Sequence, residues 1–78
     1  MLYEKALGIE RRLGELIRLI RSGRHSTPEL ADQLGVSVPT ISRDITALRQ
    51  RGYRIRSIRL PRHWAYELVS EPAAVSQA

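Results

Sequence analysis

The chain has 78 residues, which allows one small domain with a thin hydrophobic core. Thirteen basic and eight acidic residues give a formal net charge of +5, a balance that favours a polyanionic partner. The absence of cysteine excludes disulfides and thiolate metal sites. The N-terminus lacks the apolar run of a signal peptide and no segment has the length of a membrane span, so we expect a cytoplasmic protein without a membrane partner.

Apolar residues recur at spacings of three and four along the first segment, which predicts one helix over residues 2–22. The positions of this heptad-like seam are Leu2, Ala6, Ile9, Leu13, Leu16 and Ile20. The helical turns before Leu13 extend beyond the part of the helix that a small core can cover. Residues 1–12 are therefore predicted to be an extension through which two copies form a homodimer. An alternative stays open, because Gly8 could act as a hinge that folds the first residues back over the same chain.

Two further helices joined by a tight corner are predicted next, after a short extended link that could add one rung to a sheet. Pro28 suits the first turn of the earlier helix. Thr27 is its expected cap, with Ser26 and Glu29 as a capping-box alternative. Gly35 is expected to end this helix, since glycine adopts the left-handed conformation without steric cost. Two helices joined by a glycine corner form a helix-turn-helix.

The later helix, predicted over residues 38–51, has a polar outer face. Ser37 is its expected cap, and Ile41, Ile45 and Leu48 form its buried stripe. Hydroxyls and arginines on the opposite face are residue types that contact phosphates or base edges in a DNA major groove. The candidate DNA-binding residues are Ser37, Pro39, Thr40, Ser42, Arg43, Thr46 and Arg49 near or on this helix, with Arg62 farther along the chain.

Positive charge is concentrated between positions 43 and 62. This segment contains seven arginines and a single acid, Asp44, whereas five of the other acids precede it and two follow it. This uneven distribution of charge along the sequence predicts a basic face rather than an evenly charged surface. Arg43 is placed to contact a guanine through its forked guanidinium. Asp44 is expected to pair with a neighbouring arginine instead of contacting a cytosine.

After Gly52 the period of the apolar residues changes from helical to alternating, which predicts a β-hairpin. Its strands are expected over residues 53–60 and 64–69, with the turn at 61–63. A two-stranded hairpin is not stable alone, so it must pack on the helices. Residues 70–78 are small and polar, and we expect them to form a flexible tail.

Details of the hairpin can also be predicted. The apolar positions change parity after Ile55, which favours a bulge near Ser57. Trp64 and Tyr66 are expected to belong to the hairpin core rather than to stack on bases.

Nothing in the sequence predicts an enzyme. No nucleophile is paired with a base, no glycine-rich loop follows a strand, and so short a chain does not easily frame a pocket. His25 and His63 are isolated, with no second histidine or carboxylate at metal-ligand spacing. We therefore expect no catalytic residue, no metal, no cofactor and no small-molecule site.

Three helices followed by a hairpin, an α+β arrangement that is mainly α, define a winged helix-turn-helix over residues 1–69. The stretch from Leu13 to Leu68 resembles the winged helix-turn-helix of DeoR-type regulators, of the biotin-operon repressor and of WYL-domain transcription factors. The matching motifs are Glu29-Leu-Ala-Asp-Gln-Leu-Gly-Val-Ser37, Thr40-Ile-Ser-Arg-Asp-Ile45, Leu48-Arg49, Gly52-Tyr-Arg-Ile55 and Ala65-Tyr-Glu-Leu68. Ala65 departs from the pattern, since these families commonly have glycine there, and the wing tip is short.

The resemblance implies a transcriptional regulator that binds double-stranded DNA, with Ser37, Pro39, Thr40 and Arg43 on the recognition helix. The leading prediction is sequence-specific binding, with helix 38–51 in the major groove and the wing near 61–63 on the minor groove or phosphates. Two alternatives stay open. A winged helix can serve as a protein-interaction module, such as an antirepressor or accessory subunit, and structured RNA would suit the same basic face.

Overall fold

The computed structural model of the protein describes residues 2–72, with the side chains of residues 8–72. Within this segment three α-helices precede one antiparallel pair of strands. The elements are α1 (Leu2–Ile20), α2 (Thr27–Leu34), α3 (Val38–Gln50), β1 (Arg54–Arg59) and β2 (Trp64–Ser70). The predicted fold class, a mainly helical winged helix-turn-helix, is confirmed. In the described part of the chain, no helix has both the length and the apolar character that crossing a membrane would require.

One continuous core joins the helices to the hairpin. Its buried members are Leu13, Leu16, Ile20, Leu30, Ala31, Ile41, Ile45, Leu48 and Ile55. The predicted apolar stripes of α1 and α3 are therefore confirmed from Leu13 onward. Full burial of each leucine or isoleucine contributes about 1.5–3 kcal/mol, so this core fixes how α3 lies on the other helices.

Helix α1 is continuous through Gly8, and the alternative of a hinge at this glycine is wrong for the described backbone. The helix ends at Ile20, two residues earlier than predicted. Ile9 is 44% exposed, whereas the next members of the seam are buried. Leu2 and Ala6, which complete the predicted N-terminal seam, belong to the stretch whose side chains lie outside the described residues.

The corner between α2 and α3 follows from local side-chain chemistry. Ser26, rather than Thr27, caps α2: Ser26 Oγ accepts the Glu29 backbone N–H at 3.2 Å, and Glu29 Oε1 accepts the Ser26 N–H at 2.8 Å. This reciprocal box satisfies two N–H groups, which a threonine cap alone would not. Gly35 ends α2 with a φ of 67°, as predicted, and Ser37 then caps α3.

The strands pair with Ile55 opposite Leu68 and Ile58 opposite Ala65. The register shift lies between Arg54 and Ile55, so the predicted bulge near Ser57 is wrong in position. Ile55 and Ala65 lie on opposite faces of the hairpin, yet both are buried. Two-stranded ribbons twist strongly, so positions on opposite faces at the two ends of a hairpin can both be covered by the rest of the domain.

The end of the hairpin is tied to α1. β2 ends at Ser70, and the following Glu71 accepts hydrogen bonds from Arg21 at 2.8 to 3.1 Å. The remainder of the predicted tail, residues 73–78, lies outside the described residues.

Candidate nucleic-acid interface

One face of α3 carries most of the predicted DNA-binding residues. Its exposed members recur at intervals of three or four positions, which places them on a single side of the helix. They are Pro39, Ser42, Arg43, Thr46 and Arg49. The only acid in α3, Asp44, is buried on the opposite side. The outward stripe is therefore polar, and α3 adds no negative charge to it.

The start of α3 is built by two hydroxyls. Ser37 Oγ accepts the Thr40 backbone N–H at 3.3 Å and lies 3.0 Å from Thr40 Oγ1. Thr40 is half-buried as a result, while Ser37 stays exposed. The first turn contains no acidic residue, so the partial positive charge of this helix end remains uncompensated within the turn. Such an end favours a phosphate.

Two of the predicted residues also make hydrogen bonds inside the domain. Thr46 Oγ1 donates to the Ser42 carbonyl oxygen at 3.1 Å. Arg49 donates through Nε and Nη2 to the Ile55 carbonyl oxygen at 3.2 and 2.9 Å. Arg49 thereby ties the C-terminal end of α3 to β1. Any contact of Arg49 with DNA would come in addition to this structural bond.

Arg43 is exposed, and no described residue forms an ion pair with it. It borders an open groove between α1 and α3. The other residues lining this groove are Gly8, Ile9, Arg12, Thr40 and Asp44. The Arg43 guanidinium is therefore available to an external ligand at the edge where the two helices meet.

Asp44 turns inward and forms a bidentate ion pair with α1. Arg12 Nε donates to Oδ2 at 2.6 Å, and Arg12 Nη2 donates to Oδ1 at 3.0 Å. The side chains are 26% exposed for Arg12 and 8% for Asp44. The hydrogen bond to Asp44 raises the pKa of the Arg12 guanidinium, against the opposing effect of burial. Asp44 thus pairs with an arginine as predicted, but with one from another helix, and the pair locks α3 onto α1.

The arginines of the basic segment divide into two groups. Four make internal contacts. Arg49 donates to the Ile55 carbonyl oxygen, and the Arg59 guanidinium carbon lies 5.5 Å from the Trp64 ring centroid. Arg51 pairs with Glu10 at 2.7 and 2.9 Å, and Arg56 pairs with Glu67 at 2.7 Å. In contrast, Arg43, Arg54 and Arg62 have no ion-pair partner among the described residues. The formal charge of the segment therefore exceeds the charge that is free to bind a ligand.

The wing tip, residues 60–63, rests on the link between α1 and α2. The Leu60 N–H donates to the His63 carbonyl oxygen at 2.8 Å and closes the turn. His63 Nε2 donates to the Arg24 carbonyl oxygen at 3.0 Å and lies 3.7 Å from Glu29 Oε1. Arg62 remains exposed at the tip. His63 therefore anchors the turn that presents Arg62.

A second contact joins the hairpin to the same link. The Tyr66 N–H donates to the His25 carbonyl oxygen at 3.4 Å, which supplies the single rung that the sequence suggested. Tyr66 is half-buried and packs against the core as predicted. Trp64 is not in the core but 56% exposed, and its predicted burial is wrong. At this end of the hairpin the inward side is occupied by Ala65, so the neighbouring Trp64 faces outward.

Sequence reasoning missed the structural roles of Arg12 and His63. The pairing of Arg12 could have been anticipated in part from the position of Asp44. Asp44 lies three residues after Ile41 and four before Leu48, which places it on the buried stripe. A carboxylate on that stripe requires a cationic or hydrogen-bonding partner. For His63 no local signal exists, since its partner is 39 positions away along the chain.

A helix-turn-helix whose second helix has an exposed face without acidic residues, with a β-hairpin beside it, is the architecture of a DNA-binding domain. A protein-family model described as HTH domain matches residues 11–61, well over half of the chain, and the chain belongs to this family. The match spans the C-terminal half of α1, the helix-turn-helix and β1, and ends in the wing tip. The family supports DNA as the partner and a role in transcription regulation. Comparisons with curated proteins and with solved structures gave no match.

Proposed function

We propose that the protein is a transcriptional regulator that recognises a particular sequence in double-stranded DNA. Its winged helix-turn-helix is of the type found in DeoR-type regulators, the biotin-operon repressor and WYL regulators. The observation that carries the proposal is the outward stripe of α3, where Arg43 has no ion-pair partner among the described residues and the only acid of the helix is buried.

In this proposal α3 lies in the major groove. A helix held by a buried stripe and by the Arg12–Asp44 pair has a fixed backbone position before DNA binds. Arg43 can then present two parallel donors to O6 and N7 of a guanine. Ser37 and Ser42, which are exposed near the start of α3, are suited to phosphates or base edges beside it. Pro39, Thr40, Thr46 and Arg49 complete the proposed contact surface.

The wing supplies a second, less specific contact. Arg62 lies exposed at the tip of the hairpin, where a long cationic side chain can bind phosphates or enter a minor groove. His63 holds this tip against the Arg24 carbonyl oxygen, so the wing has a defined position relative to the helix-turn-helix. The proposed division of roles is base recognition by α3 and backbone contact by the wing.

Selection of bound duplexes from a random DNA pool at moderate salt tests sequence recognition. We expect an enriched motif that contains at least one strongly preferred guanine. A parallel selection with Arg43→Ala should lose preference at that position and keep it elsewhere. Binding without any enriched motif would show that the protein binds DNA non-specifically and would contradict the proposal.

We also propose a homodimer through the first half of α1. Ile9 is 44% exposed and continues the seam whose later members form the core. Burial against a second copy would recover up to about 1.5–3 kcal/mol for such a side chain. Ile9 lines the same groove as Arg43, so a partner at this edge would set the distance between two recognition helices.

Light scattering on the wild type and on Ile9→Ser tests the dimer. We expect a wild-type dimer at tens of micromolar and a monomer for the variant. Val69→Ser is the matched control, because Val69 is an aliphatic residue on β2 that is 51% exposed, close to the 44% of Ile9. A wild-type monomer would contradict the dimer, and a dimer insensitive to Ile9→Ser would place the interface elsewhere.

A further inference from the structure

Trp64 is 56% exposed, although it is the first residue of a paired strand. An indole that stays in water forgoes the stabilisation that aromatic burial provides, which makes its exposure informative. The local geometry explains the direction of the ring. Ala65, the next residue, is 3% exposed and fills the inward side, so Trp64 faces outward at the end of β2 nearest the wing tip.

The surroundings of this indole are cationic. Arg59 is paired directly opposite Trp64 across the hairpin, and its guanidinium carbon lies 5.5 Å from the ring centroid. This distance is within the range of a cation–π contact, which orients the ring and keeps a positive charge beside it. Arg62 lies two residues before Trp64, in the exposed tip. Among the described residues, neither arginine forms an ion pair with a carboxylate.

An exposed aromatic ring with one arginine against it and a second exposed arginine two residues earlier in the chain suits a ligand with flat, weakly polar surfaces and regularly spaced negative charges. Nucleic acid offers both, because bases and sugars pack on aromatic rings while phosphates bind the neighbouring cations. A purely apolar protein surface would leave Arg59 and Arg62 without partners. Charge complementarity therefore favours DNA as the occupant of this patch.

We propose that Trp64 is a DNA contact: its indole packs against sugar and base edges of the minor groove beside the wing tip, and Arg59 binds an adjacent phosphate. The inference rests on the proposed DNA-binding function and extends it by an aromatic contact in the wing. In this arrangement the wing contributes affinity through packing as well as through charge. The aromatic part of that affinity persists at salt concentrations that screen the arginines.

Trp64 is the only tryptophan of the chain, so fluorescence excited selectively in the indole, at wavelengths that tyrosine does not absorb, reports on this position alone. Titration of wild-type protein with a bound duplex should change the tryptophan emission. The change should saturate at the same DNA concentration as the anisotropy of a labelled copy of that duplex. This measurement uses the unaltered chain and does not depend on the folding of any variant.

Substitution at Trp64 provides a second test of the proposed contact. Trp64→Ala should weaken DNA binding about five- to tenfold, within the range found for loss of an aromatic contact with a base, and Trp64→Phe should retain most of the affinity. Val69→Ala is the matched control on the same strand, since Val69 is 51% exposed, and should bind like the wild type. Circular dichroism should show the same fold for all variants.

The outcomes separate this inference from the proposed function. Binding by anisotropy with unchanged tryptophan emission would overturn the aromatic contact and leave DNA binding intact. Equal losses for Trp64→Ala and Val69→Ala would overturn it as well, because the effect would not be specific to the ring. Absence of an anisotropy change would contradict DNA binding itself. A concentration-dependent emission shift without DNA would assign Trp64 to a protein contact instead.

Discussion

Helix α3 and the wing tip are held in the domain in different ways. α3 is fixed by the fully buried Ile41, Ile45 and Leu48 and by a bidentate ion pair from Asp44 to α1. The wing tip is attached to the link between α1 and α2 mainly by the hydrogen bond from His63 to the Arg24 carbonyl oxygen. The helix is therefore anchored on its whole inner side, and the tip by a few polar contacts.

This difference corresponds to two kinds of DNA contact. A bidentate contact with a base edge depends on donor positions, so it requires a helix that does not move relative to the domain. A phosphate can be reached from many side-chain conformations, so a lightly attached tip is sufficient. The comparison leads us to expect specificity from Arg43 on α3 and general affinity from Arg62 on the wing.

The largest effect is expected from removal of the anchor of α3. Asp44→Ala leaves Arg12 without its counter-charge and should lower the free energy of unfolding by about 2–3 kcal/mol, less than for a fully buried pair because Arg12 is partly exposed. The melting temperature should fall by roughly 10–20 °C. Thermal denaturation followed by circular dichroism measures the change. Glu10→Ala, which removes the exposed bridge to Arg51, is the control and should be nearly neutral. Equal losses for the two variants would contradict the anchoring role.

Loss of the proposed base contact is expected to come next. Arg43→Ala should weaken binding to a preferred duplex by about 1–3 kcal/mol and relax one position of the motif. Arg54→Ala is the matched control, since Arg54 is also exposed and has no ion-pair partner among the described residues. Competition titrations with single-base variants of the duplex measure the change. Unchanged selectivity in a folded Arg43→Ala protein would refute the base contact.

A smaller and less selective loss is expected at the wing. Arg62→Ala should weaken binding to every duplex by a similar factor and make the log–log salt slope shallower by about one. Affinities measured at several salt concentrations on one preferred and one unrelated duplex provide the test. A loss confined to the preferred duplex would mean that Arg62 contacts a base.

The smallest effect concerns acid stability at the start of α2. The hydrogen bond from the Ser26 backbone lowers the pKa of Glu29 below the ordinary value of 4.5. Because the folded-state pKa is the lower one, the stabilisation is fully present above pH 4.5 and is lost as the pH falls through the folded value. Glu29→Gln keeps a hydrogen-bond acceptor without the charge and should show a flatter dependence of melting temperature on pH as the pH is lowered from neutrality to below the ordinary pKa of 4.5. Identical pH profiles would contradict a role for the carboxylate charge.

The features that were predictable from the sequence are local ones. Gly35 and Ser37 fix the corner between α2 and α3 through conformation and capping within a few residues. The stripe of Ile41, Ile45 and Leu48 follows directly from helical periodicity. The polar stripe that includes Arg43 lies opposite this stripe for the same geometric reason. Fold class and the exposed position of most candidate site residues could therefore be derived without coordinates.

The features that escaped prediction depend on distant contacts. The Arg12–Asp44 and His63–Arg24 contacts join residues 32 and 39 positions apart. The position of Asp44 on the buried stripe indicates that it needs a partner, but no local pattern specifies which residue that partner is. The exposure of Trp64 depends on the twist of the hairpin, which decides whether Trp64 or Ala65 faces the core at that end. The net charge of the sequence also overestimates the number of arginines available to a ligand, because pairs such as Arg56–Glu67 form only in the folded hairpin.

We propose that Arg43 on α3 and Arg62 on the wing, which have no ion-pair partner among the described residues, bind the bases and backbone of duplex DNA. Titration of labelled duplex with the wild-type protein at several salt concentrations tests it most directly. About four to six phosphate contacts per domain predict a slope of roughly −4 to −5 in a plot of log affinity against log salt concentration. No binding at low salt, or an affinity that does not change with salt, would contradict the claim.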